Sequence, residues 1–167
     1  DDELARNFFS RLKTLAYGGA AMSQDLYDRM QKVAIRIAGE RIVFSTGYGS
    51  TETAPTIMNL HWETGRMGIL GLPLPGIEIK LAPVGQKMEV RVRGHCITPG
   101  YYKNPEKTRE AYDEEGFYRL GDGARFVDEA RPEEGLIFDG RVAEDFKLSS
   151  GTWVSAGKLR VDALAET

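Results

Sequence analysis

The sequence has little cysteine, no cluster of basic residues and no long apolar run. Its one cysteine, Cys96, excludes an internal disulfide and a cysteine-rich metal site. No segment reaches the roughly 18 apolar residues that a membrane helix needs, and no signal peptide pattern is visible, so we expect a cytoplasmic protein without a membrane partner. A net charge of −3 with scattered basic residues gives no reason to expect a nucleic-acid partner.

The composition that is present favours a folded protein. Hydrophobic residues make up 41% and charged residues 28% of the 167 positions, which is typical of globular chains and fits one ordinary domain or two small ones. The chain starts at Asp1 rather than at methionine. This start is consistent with a piece of a longer protein.

Residues 1–64 have the pattern of an α/β unit. Residues 2–10 are typical of the end of a helix, and residues 12–17 of a strand. Ser23 is a good helix N-cap, and Gly39 stands where such a helix ends. Residues 41–46 form a short apolar run that favours a buried strand. We therefore predict a strand–helix–strand piece of an α/β sheet.

Residues 65–138 change to a β-rich pattern with many glycines and prolines. Ile77, Ile79 and Leu81 are predicted to share one face of a strand, and Met88, Val90 and Val92 another. Asn104 and Pro105 predict the start of a short helix. Further strands are predicted at 117–120, 124–127 and 136–138. We expect this part to form a small distorted barrel or curled sheet.

Residues 47–53 are the first candidate for chemistry, because this glycine-rich segment directly follows the apolar run 41–46. Small residues let the backbone approach a phosphate, the Thr51 hydroxyl can bind a phosphate oxygen, and Glu52 can hold Mg²⁺. The segment lacks the pattern of a dinucleotide fingerprint or a P-loop. An ordinary polar turn remains an alternative for the segment by itself.

Two further glycine-flanked charges are candidates for ribose recognition. Asp122, between Gly121 and Gly123, can accept two hydrogen bonds from a ribose diol. Arg141, after Gly140, can reach a ribose hydroxyl or a phosphate. Taken alone, each segment has a simpler alternative: a tight turn for the aspartate and a solvated charged face for the arginine.

The order of these segments along the chain carries more information than any one of them. The sequence contains GGAA at 18–21, YGSTE at 48–52, GLPLPG at 71–76, GYYKNPEKT at 100–108, YRLGD at 118–122 and GR at 140–141. In this order they resemble the adenylate-forming superfamily, which contains acyl-CoA synthetases, luciferases and peptide-synthetase adenylation domains. Segments 51–55, 116–122 and 138–155 are most similar to feruloyl-CoA synthetases.

The resemblance implies a fold and a two-step reaction. The fold would be part of an adenylate-forming enzyme: the end of its α/β nucleotide-binding subdomain (1–64), a barrel-like subdomain (65–138), and a hinge with the start of the C-terminal lobe (139–167). The carboxylate of a hydroxycinnamic acid such as ferulic acid would attack ATP to give acyl-AMP and pyrophosphate, and the thiol of CoA would then displace AMP. ATP or AMP, Mg²⁺ and CoA are the implied small-molecule partners.

The resemblance also assigns roles to residues. Thr51 and Glu52 would be catalytic, with Thr51 on the α-phosphate and Glu52 on Mg²⁺. Asp122 would take the ribose hydroxyls with support from Arg141, and Tyr48 would stack on adenine. The implied nucleotide-binding positions are Gly19, Ala20, Ala21, Tyr48, Gly49, Thr51, Asp122, Phe138, Arg141 and Lys147.

The sequence departs from the family pattern at the hinge, predicted at residues 140–147. Ala143 stands where the family usually has an aspartate, and Glu144 or Asp145 could substitute for it. The 167 residues contain neither a phosphate loop ending in Pro-Lys-Gly nor a match to the catalytic lysine of the C-terminal lobe, since Lys158 does not fit that position. We therefore expect the chain alone to be inactive.

Other functions remain open at this stage. A fatty-acyl-CoA ligase or an adenylation domain that loads a carrier protein would share the same motifs. A non-catalytic remnant or interaction module is a second alternative, although such a module would not need Thr51, Glu52, Asp122 and Arg141 together. If the chain is cut through a larger sheet, apolar edges would be exposed, and self-association through them is a hypothesis.

Overall fold

A computed structural model of the protein describes residues 2–147, 149–150 and 153–155. Within this part of the chain, three helices are α1 (Asp2–Phe9), α2 (Gln24–Ala38) and α3 (Pro105–Glu110). The strands are β1 (Thr14–Tyr17), β2 (Val43–Tyr48), β3 (Met58–Leu60), β4 (Ile69–Pro73), β5 (Glu78–Val84), β6 (Lys87–Arg93), β7 (Tyr118–Phe126), β8 (Leu136–Arg141), β9 (Asp145–Lys147) and β10 (Trp153–Ser155). Short 3₁₀ turns occupy Thr51–Thr53, Pro132–Glu134 and Val142–Glu144. None of the described helices is long and apolar enough to cross a membrane.

Helix α2 begins and ends where its local sequence predicts. The Ser23 side chain accepts a hydrogen bond from the Leu26 amide at 3.2 Å, which satisfies one of the unpaired donors of the first turn. Gly39 adopts a left-handed conformation (φ 77°) after the last turn, and its amide bonds the Ile35 carbonyl. The predicted caps of this helix are confirmed.

Eight strands form one continuous order, β1-β2-β3-β4-β8-β7-β6-β5. Only β1 and β2 pair in parallel, since helix α2 provides the crossover that a parallel pair needs; the other pairs in this sheet are antiparallel. Strands β9 and β10 form a separate antiparallel pair. The predicted mixed α/β fold with a β-rich part is confirmed, and the β-rich part continues the same sheet. The domain boundaries at 65 and 139 stay a prediction.

Two hydrophobic clusters lie along this sheet. The first, here called the helix-side core, consists of Phe9, Tyr27, Ala34, Ile42, Phe44 and Met67. The second, the strand-side core, consists of Ile57, Met58, Leu70, Val90, Val92, Tyr118, Leu120, Ala124 and Leu136. The two cores are not built from separate segments of the chain. Residues 57 and 58 belong to the strand-side core, whereas residue 67, further along the chain, belongs to the helix-side core.

The structure corrects two predicted strands. Strand β2 extends to Tyr48, so Gly47 and Tyr48 lie inside a strand rather than in the loop after it. The strands predicted at 117–120 and 124–127 are one strand, β7, and Gly121–Gly123 forms an irregularity within it. Glycine was taken as a turn signal at both places. Pairing with Asn59 keeps Gly47 within its strand, whereas Gly121 takes a positive φ of 73° at an irregularity inside a continuous strand.

Met88 was predicted to share a strand face with Val90 and Val92, but it does not share their burial. This side chain is 38% exposed, whereas its neighbours Lys87 and Glu89 are buried. Lys87 packs beside Gly123, where an added Cβ would lie 3.1 Å from Lys87 Cδ. The missing side chain at Gly123 therefore makes room for the lysine.

Candidate functional site

Two loops meet at one edge of the sheet because β1 and β2 run in parallel. Residues 18–21 follow β1, and residues 49–53 follow β2. The two segments are close, since a Cβ built on Gly18 would lie 3.7 Å from the Gly47 carbonyl oxygen. The edge beyond the carboxyl ends of parallel strands is where α/β sheets place ligands.

Two clefts open at this edge and share Tyr17 and Gly18 as lining residues. The first has a volume of about 450 Å³ and is lined by Tyr17, Gly18, Gly19, Gly47, Gly49, Ser50, Thr51, Pro55 and Thr56. The second has a volume of about 420 Å³ and is lined by Tyr17, Gly18, Ala20, Ala21, Met22, Ser23 and Leu26. The structure thus brings Gly19, Gly49 and Thr51 to one cleft and Ala20 and Ala21 to its neighbour.

Only glycine fits at position 49. A Cβ there would lie 2.1 Å from the Pro55 carbonyl oxygen, far inside contact distance. The turn is closed by Thr53, whose hydroxyl accepts from the Ser50 amide at 2.8 Å and donates to the Ser50 carbonyl at 3.0 Å. This tight turn leaves Thr51 exposed at the cleft, where its hydroxyl can reach a ligand.

Glu52 is held in the same turn as an anion. Tyr101 donates a hydrogen bond from its hydroxyl to Glu52 Oε1 at 3.1 Å, and the Thr98 amide donates to the Glu52 carbonyl at 2.8 Å. A hydrogen bond from the residue's own backbone amide, with that from Tyr101 as a smaller contribution, holds the pKa of Glu52 below its ordinary value.

The described residues contain no group of three or more His, Cys, Asp or Glu side chains that could hold a metal ion. Mg²⁺ usually keeps several waters and binds through one or two carboxylates together with substrate phosphates. A single anionic glutamate beside an open cleft fits that mode of binding. Glu52 can therefore hold Mg²⁺ only together with phosphate and water.

Tyr48 joins the end of β2 to Asp122 in β7. Its hydroxyl donates to Asp122 Oδ2 at 2.8 Å. Burial raises the pKa of Tyr48, and the neighbouring Asp122 charge raises it further, so the phenol remains a donor at neutral pH. The predicted adenine-stacking residue and the predicted ribose-binding residue therefore lie in direct contact.

Asp122 is a buried carboxylate with few partners. It is 9% exposed, and burial raises its pKa, although the hydrogen bond from Tyr48 and the charge of Arg141 act in the opposite direction. Oδ1 lies 3.0 Å from Arg141 Nε, but this ion pair is not aligned as a hydrogen bond, and Oδ1 has no hydrogen-bond partner among the described residues. Asp122 thus retains the capacity to accept from a ligand.

The irregularity in β7 places Asp122 opposite Arg141. The two residues are register partners between β7 and β8, and the register shifts before the next pair, Ala124 and Phe138. Gly121 and Gly140 both have positive φ, 73° and 77°, so the backbone beside each charged residue takes a conformation that glycine adopts without strain. This bulge explains the two glycine-flanked motifs.

Four predicted site residues line neither cleft: Tyr48, Asp122, Phe138 and Arg141. Phe138 lies in β8 with 41% of its surface exposed, and Lys147 lies in β9. The predicted hinge at 140–147 covers the end of β8, a 3₁₀ turn and β9. The nucleotide contacts of Phe138 and Lys147 and the hinge function stay predictions. Lys158 and the rest of residues 156–167 lie outside the described part.

Sequence reasoning missed two residues at this site. Lys87 is only 9% exposed and donates from Nζ to the Arg141 carbonyl at 3.3 Å. No sequence signal marked Lys87 as a residue of the site. The second is Tyr101, which bonds Glu52. Its signal was present in the motif at 100–108, to which no role was assigned.

Comparisons with known proteins agree on one family. A family model described as "AMP-binding enzyme" matches residues 2–102, which include Tyr48, Thr51 and Glu52. A carboxylic acid reductase of Segniliparus rugosus is 33% identical over 160 residues, covering 89% of this chain and 12% of that protein. A probable 4-coumarate–CoA ligase 2 of Dictyostelium discoideum is 30% identical over 128 residues, covering 72% of this chain and 22% of the relative.

A solved structure extends the comparison beyond residue 102. A malonyl-CoA ligase, described as a ternary product complex with methylmalonyl-CoA and AMP bound, superposes with a TM-score of 0.64 and 30% identity. The match covers 100% of this chain and 35% of that protein. Asp122 and Arg141 therefore lie within a fold that also occurs in a protein with bound AMP. Across these three proteins the chain spans 12% to 35% of the other protein's length.

Proposed function

Because the chain belongs to the family of AMP-binding enzymes, we propose that its cleft binds the adenosine and α-phosphate of ATP and AMP as part of an acid-activating ligase. The observation that carries the proposal is Asp122, a buried carboxylate with one hydrogen bond and a raised pKa. A ribose diol would supply the two missing donors. Perturbed, under-satisfied acids of this kind are typical of functional sites.

The proposed roles of the other residues follow from their positions. The Tyr48 ring, fixed by its bond to Asp122, would support the adenine, and the exposed Thr51 hydroxyl would donate to an α-phosphate oxygen. Arg141 would hold the ribose side of the site through its ion pair with Asp122. In the proposed reaction, a carboxylate oxygen bonds the α-phosphorus as pyrophosphate leaves, and a thiol then bonds the acyl carbon as AMP leaves.

We propose that Glu52 holds Mg²⁺ together with the nucleotide phosphates. Its lowered pKa keeps the carboxylate anionic at neutral pH, as a ligand of a hard cation must be. Mg²⁺ bound there would offset the phosphate charge that increases during adenylation.

We propose a hydroxycinnamic acid, such as ferulic acid, as the substrate and CoA as the acceptor. The segments at 116–122 and 138–155 support this choice, and one relative is named for 4-coumarate, itself a hydroxycinnamate. The second cleft, lined by Ala20, Ala21, Met22 and Leu26 beside the first cleft, offers small and apolar surface for the acyl end.

Loading of a carrier protein is a second candidate function, since a long-chain-fatty-acid–[acyl-carrier-protein] ligase of Arabidopsis thaliana is 28% identical over 124 residues, 66% of this chain. Both candidates share the adenylation step and differ in the thiol that accepts the acyl group. Non-hydrolysable acyl-AMP mimics would test the acid. We expect feruloyl-sulfamoyl-adenosine to bind more tightly than the dodecanoyl compound, and the reverse order would overturn the hydroxycinnamate proposal.

Calorimetric titration with AMP tests the nucleotide site itself. We expect the chain to bind AMP and Asp122→Ala to weaken binding at least about 100-fold, since two hydrogen bonds to a charged acceptor are lost at about 1.5–3 kcal/mol each. Asp25→Ala is the matched control, because this side chain is 78% exposed on α2. Equal AMP affinity in Asp122→Ala and the parent would overturn the ribose assignment.

Turnover is a separate question from binding. We expect the 167-residue chain to release no pyrophosphate with ATP, ferulate and CoA, because its sequence contains neither a Pro-Lys-Gly phosphate loop nor a match to the family's catalytic lysine. A coupled pyrophosphate assay measures this, and steady release above a protein-free control would contradict the expectation.

A further inference from the structure

Residues 98–108 form a hook that the proposed function does not use. Gly100 has φ 146°, and a Cβ there would lie 2.4 Å from Thr108 Cγ2, so glycine lets the threonine close the loop. The Thr108 hydroxyl accepts from the Tyr101 amide at 2.9 Å and donates to the Asn104 carbonyl at 2.8 Å. Asn104 in turn caps α3 by accepting from the Lys107 amide at 3.0 Å.

These contacts explain the motif Gly-Tyr-x-x-Asn-Pro-x-x-Thr as one structural unit. Glycine allows the close approach, asparagine and proline start the helix, and threonine fixes the backbone of Tyr101. The neighbouring Tyr102 is 88% exposed. The hook therefore presents one tyrosine to the protein interior and leaves the other in solvent.

The Tyr101 side chain contacts Glu52 through its hydroxyl. This hydroxyl lies 3.1 Å from Glu52 Oε1 and 3.0 Å from the Tyr118 hydroxyl. A carboxylate only accepts, so Tyr101 donates to Glu52 and its own oxygen accepts from Tyr118. Lys107 Nζ lies 4.0 Å from the centre of the Tyr101 ring and fixes its other face. Tyr101 is therefore held at three places: its backbone amide, its ring and its hydroxyl.

Residues 98–108 also bind the backbone of Glu52. The Thr98 amide donates to the Glu52 carbonyl at 2.8 Å. One stretch of chain thus fixes both the main chain and the carboxylate of this residue. A carboxylate has about four acceptor positions, so the bond from Tyr101 sets its orientation and leaves positions for a cation.

We propose that Tyr101 is the positioning residue for Glu52, holding its carboxylate in the orientation that receives the divalent cation of the bound nucleotide. The inference rests on the proposed function, in which Glu52 holds that cation. Outer groups that orient a metal-binding carboxylate by hydrogen bonding are a general feature of metal sites, and their loss weakens metal affinity without removing a ligand.

The test measures binding of Mn²⁺, which takes the same oxygen ligands as Mg²⁺ and is counted directly by electron paramagnetic resonance. The full chain is titrated with Mn²⁺ in the presence of ATP, and AMP affinity is measured in parallel. We expect Tyr101→Phe to weaken Mn²⁺ binding about tenfold, within the range for loss of an outer partner. AMP affinity should stay unchanged, because the adenosine contacts of Asp122 do not involve Tyr101.

Two further variants separate the possible results. Tyr102→Phe makes the same chemical change on the exposed neighbour and should bind Mn²⁺ as the parent does. Glu52→Gln tests the proposed function and should weaken Mn²⁺ binding more than Tyr101→Phe. If Glu52→Gln weakens binding and Tyr101→Phe does not, the positioning role alone is wrong.

The remaining outcomes also decide the proposal. If Glu52→Gln binds Mn²⁺ as well as the parent, or the parent takes up none with ATP, the role of Glu52 is wrong and the inference fails with it. If Tyr101→Phe lowers AMP affinity to the same degree as Mn²⁺ affinity, or Tyr102→Phe shows the same Mn²⁺ loss, Tyr101 maintains the fold and does not position Glu52.

Discussion

Asp113 lies in the segment before β7 and Asp122 lies at the middle of that strand, and the two carboxylates have opposite surroundings. The Asp113 side chain is 5% exposed and lies 2.5 Å from Lys80 Nζ and 3.0 Å from an Arg91 nitrogen. It also accepts from the backbone amide of Phe117 at 2.9 Å. Although burial is the largest single influence and acts to raise the pKa of Asp113, these donors together hold it well below its ordinary value.

Asp122 is buried to a similar extent, with 13% of its side chain exposed, but it accepts only from Tyr48 and has an unaligned ion pair with Arg141. Burial therefore prevails, and the pKa of Asp122 is raised. The difference shows that the number of donors, rather than burial, decides whether the pKa of each of these carboxylates is lowered or raised. Asp113 is saturated by the protein, whereas Asp122 leaves acceptor positions for a ligand.

The largest expected effect is the loss of Asp113. Asp113→Ala leaves Lys80 and Arg91 without their shared partner, and removal of one member of a buried ion pair costs about 3–5 kcal/mol. Chemical denaturation should show this loss in the free energy of unfolding. Asp128→Ala is the control, since its partner Arg131 is 60% exposed, and should leave the free energy of unfolding nearly unchanged. An equal loss of stability in Asp113→Ala and Asp128→Ala would contradict the structural role of Asp113.

A smaller loss is expected at Tyr48. Tyr48→Phe removes the single hydrogen bond to Asp122 Oδ2 and leaves a buried carboxylate without a neutral donor. We expect the free energy of unfolding to fall by about 1–2 kcal/mol. Tyr102→Phe, on an exposed ring, should leave it unchanged. A loss at Tyr48 no greater than that at Tyr102 would mean that the Tyr48–Asp122 bond adds nothing to stability.

Asp122→Asn should raise the free energy of unfolding, whereas Asp113→Ala and Tyr48→Phe should lower it. The amide keeps the shape and removes a charge that burial disfavours, so we expect unfolding stability to rise by about 1 kcal/mol, as for other exchanges that relieve a functional site. AMP affinity should fall in the same variant. Loss of stability on the scale of Asp113→Ala would show that Asp122 is a structural carboxylate as well.

The smallest expected effect is a change with pH in the stability difference between the parent and each aspartate variant. The pKa of Asp122 is raised in the fold, so the charged form costs stability above the unfolded value of 3.8, and this cost disappears as the pH falls through the folded pKa. The stability gained by Asp122→Asn should therefore shrink between pH 7 and pH 4. Asp113 has a lowered pKa, so its contribution is complete above the unfolded value of 3.8 and is lost only below it.

The free energy of unfolding, measured at pH 7, 5 and 4 on the parent, Asp122→Asn and Asp113→Asn, would test these signs. The difference between the parent and Asp113→Asn should stay constant over this range, while the difference between the parent and Asp122→Asn narrows. Two differences that change in parallel with pH would contradict the opposite pKa directions.

Local features of the fold could be predicted from the sequence, because their causes are local. Ser23, Gly39 and Asn104 cap helices through contacts within three or four residues, and these caps are confirmed. The course of the glycine-containing strands could not be predicted in the same way. Gly47 and Gly121 carry a turn signal, but Gly47 pairs with Asn59 of β3, and the residues around Gly121 pair with β6 and β8, which keeps each glycine in a strand.

The candidate site shows the same limit. The residue types at Thr51, Glu52 and Asp122 indicated phosphate, metal and ribose chemistry, because few side chains can perform those roles. The contact of Tyr101 with Glu52 joins residues 49 positions apart, and nothing in the local pattern named that partner. Lys87 was missed because Met88 was grouped on one strand face with Val90 and Val92, whereas in the fold Met88 is exposed and Lys87 is buried.

The bond between Tyr48 and Asp122 has a consequence for how the chain folds. It joins residues 74 positions apart, and Tyr48 belongs to a strand paired with β1 while its side chain packs on the strand-side core. Contacts of such long sequence separation form late, because a long loop must close first. A partly folded chain with one core lacks the complete candidate site. If the cleft binds nucleotide as proposed, the nucleotide would select the fully folded chain and increase its population by mass action.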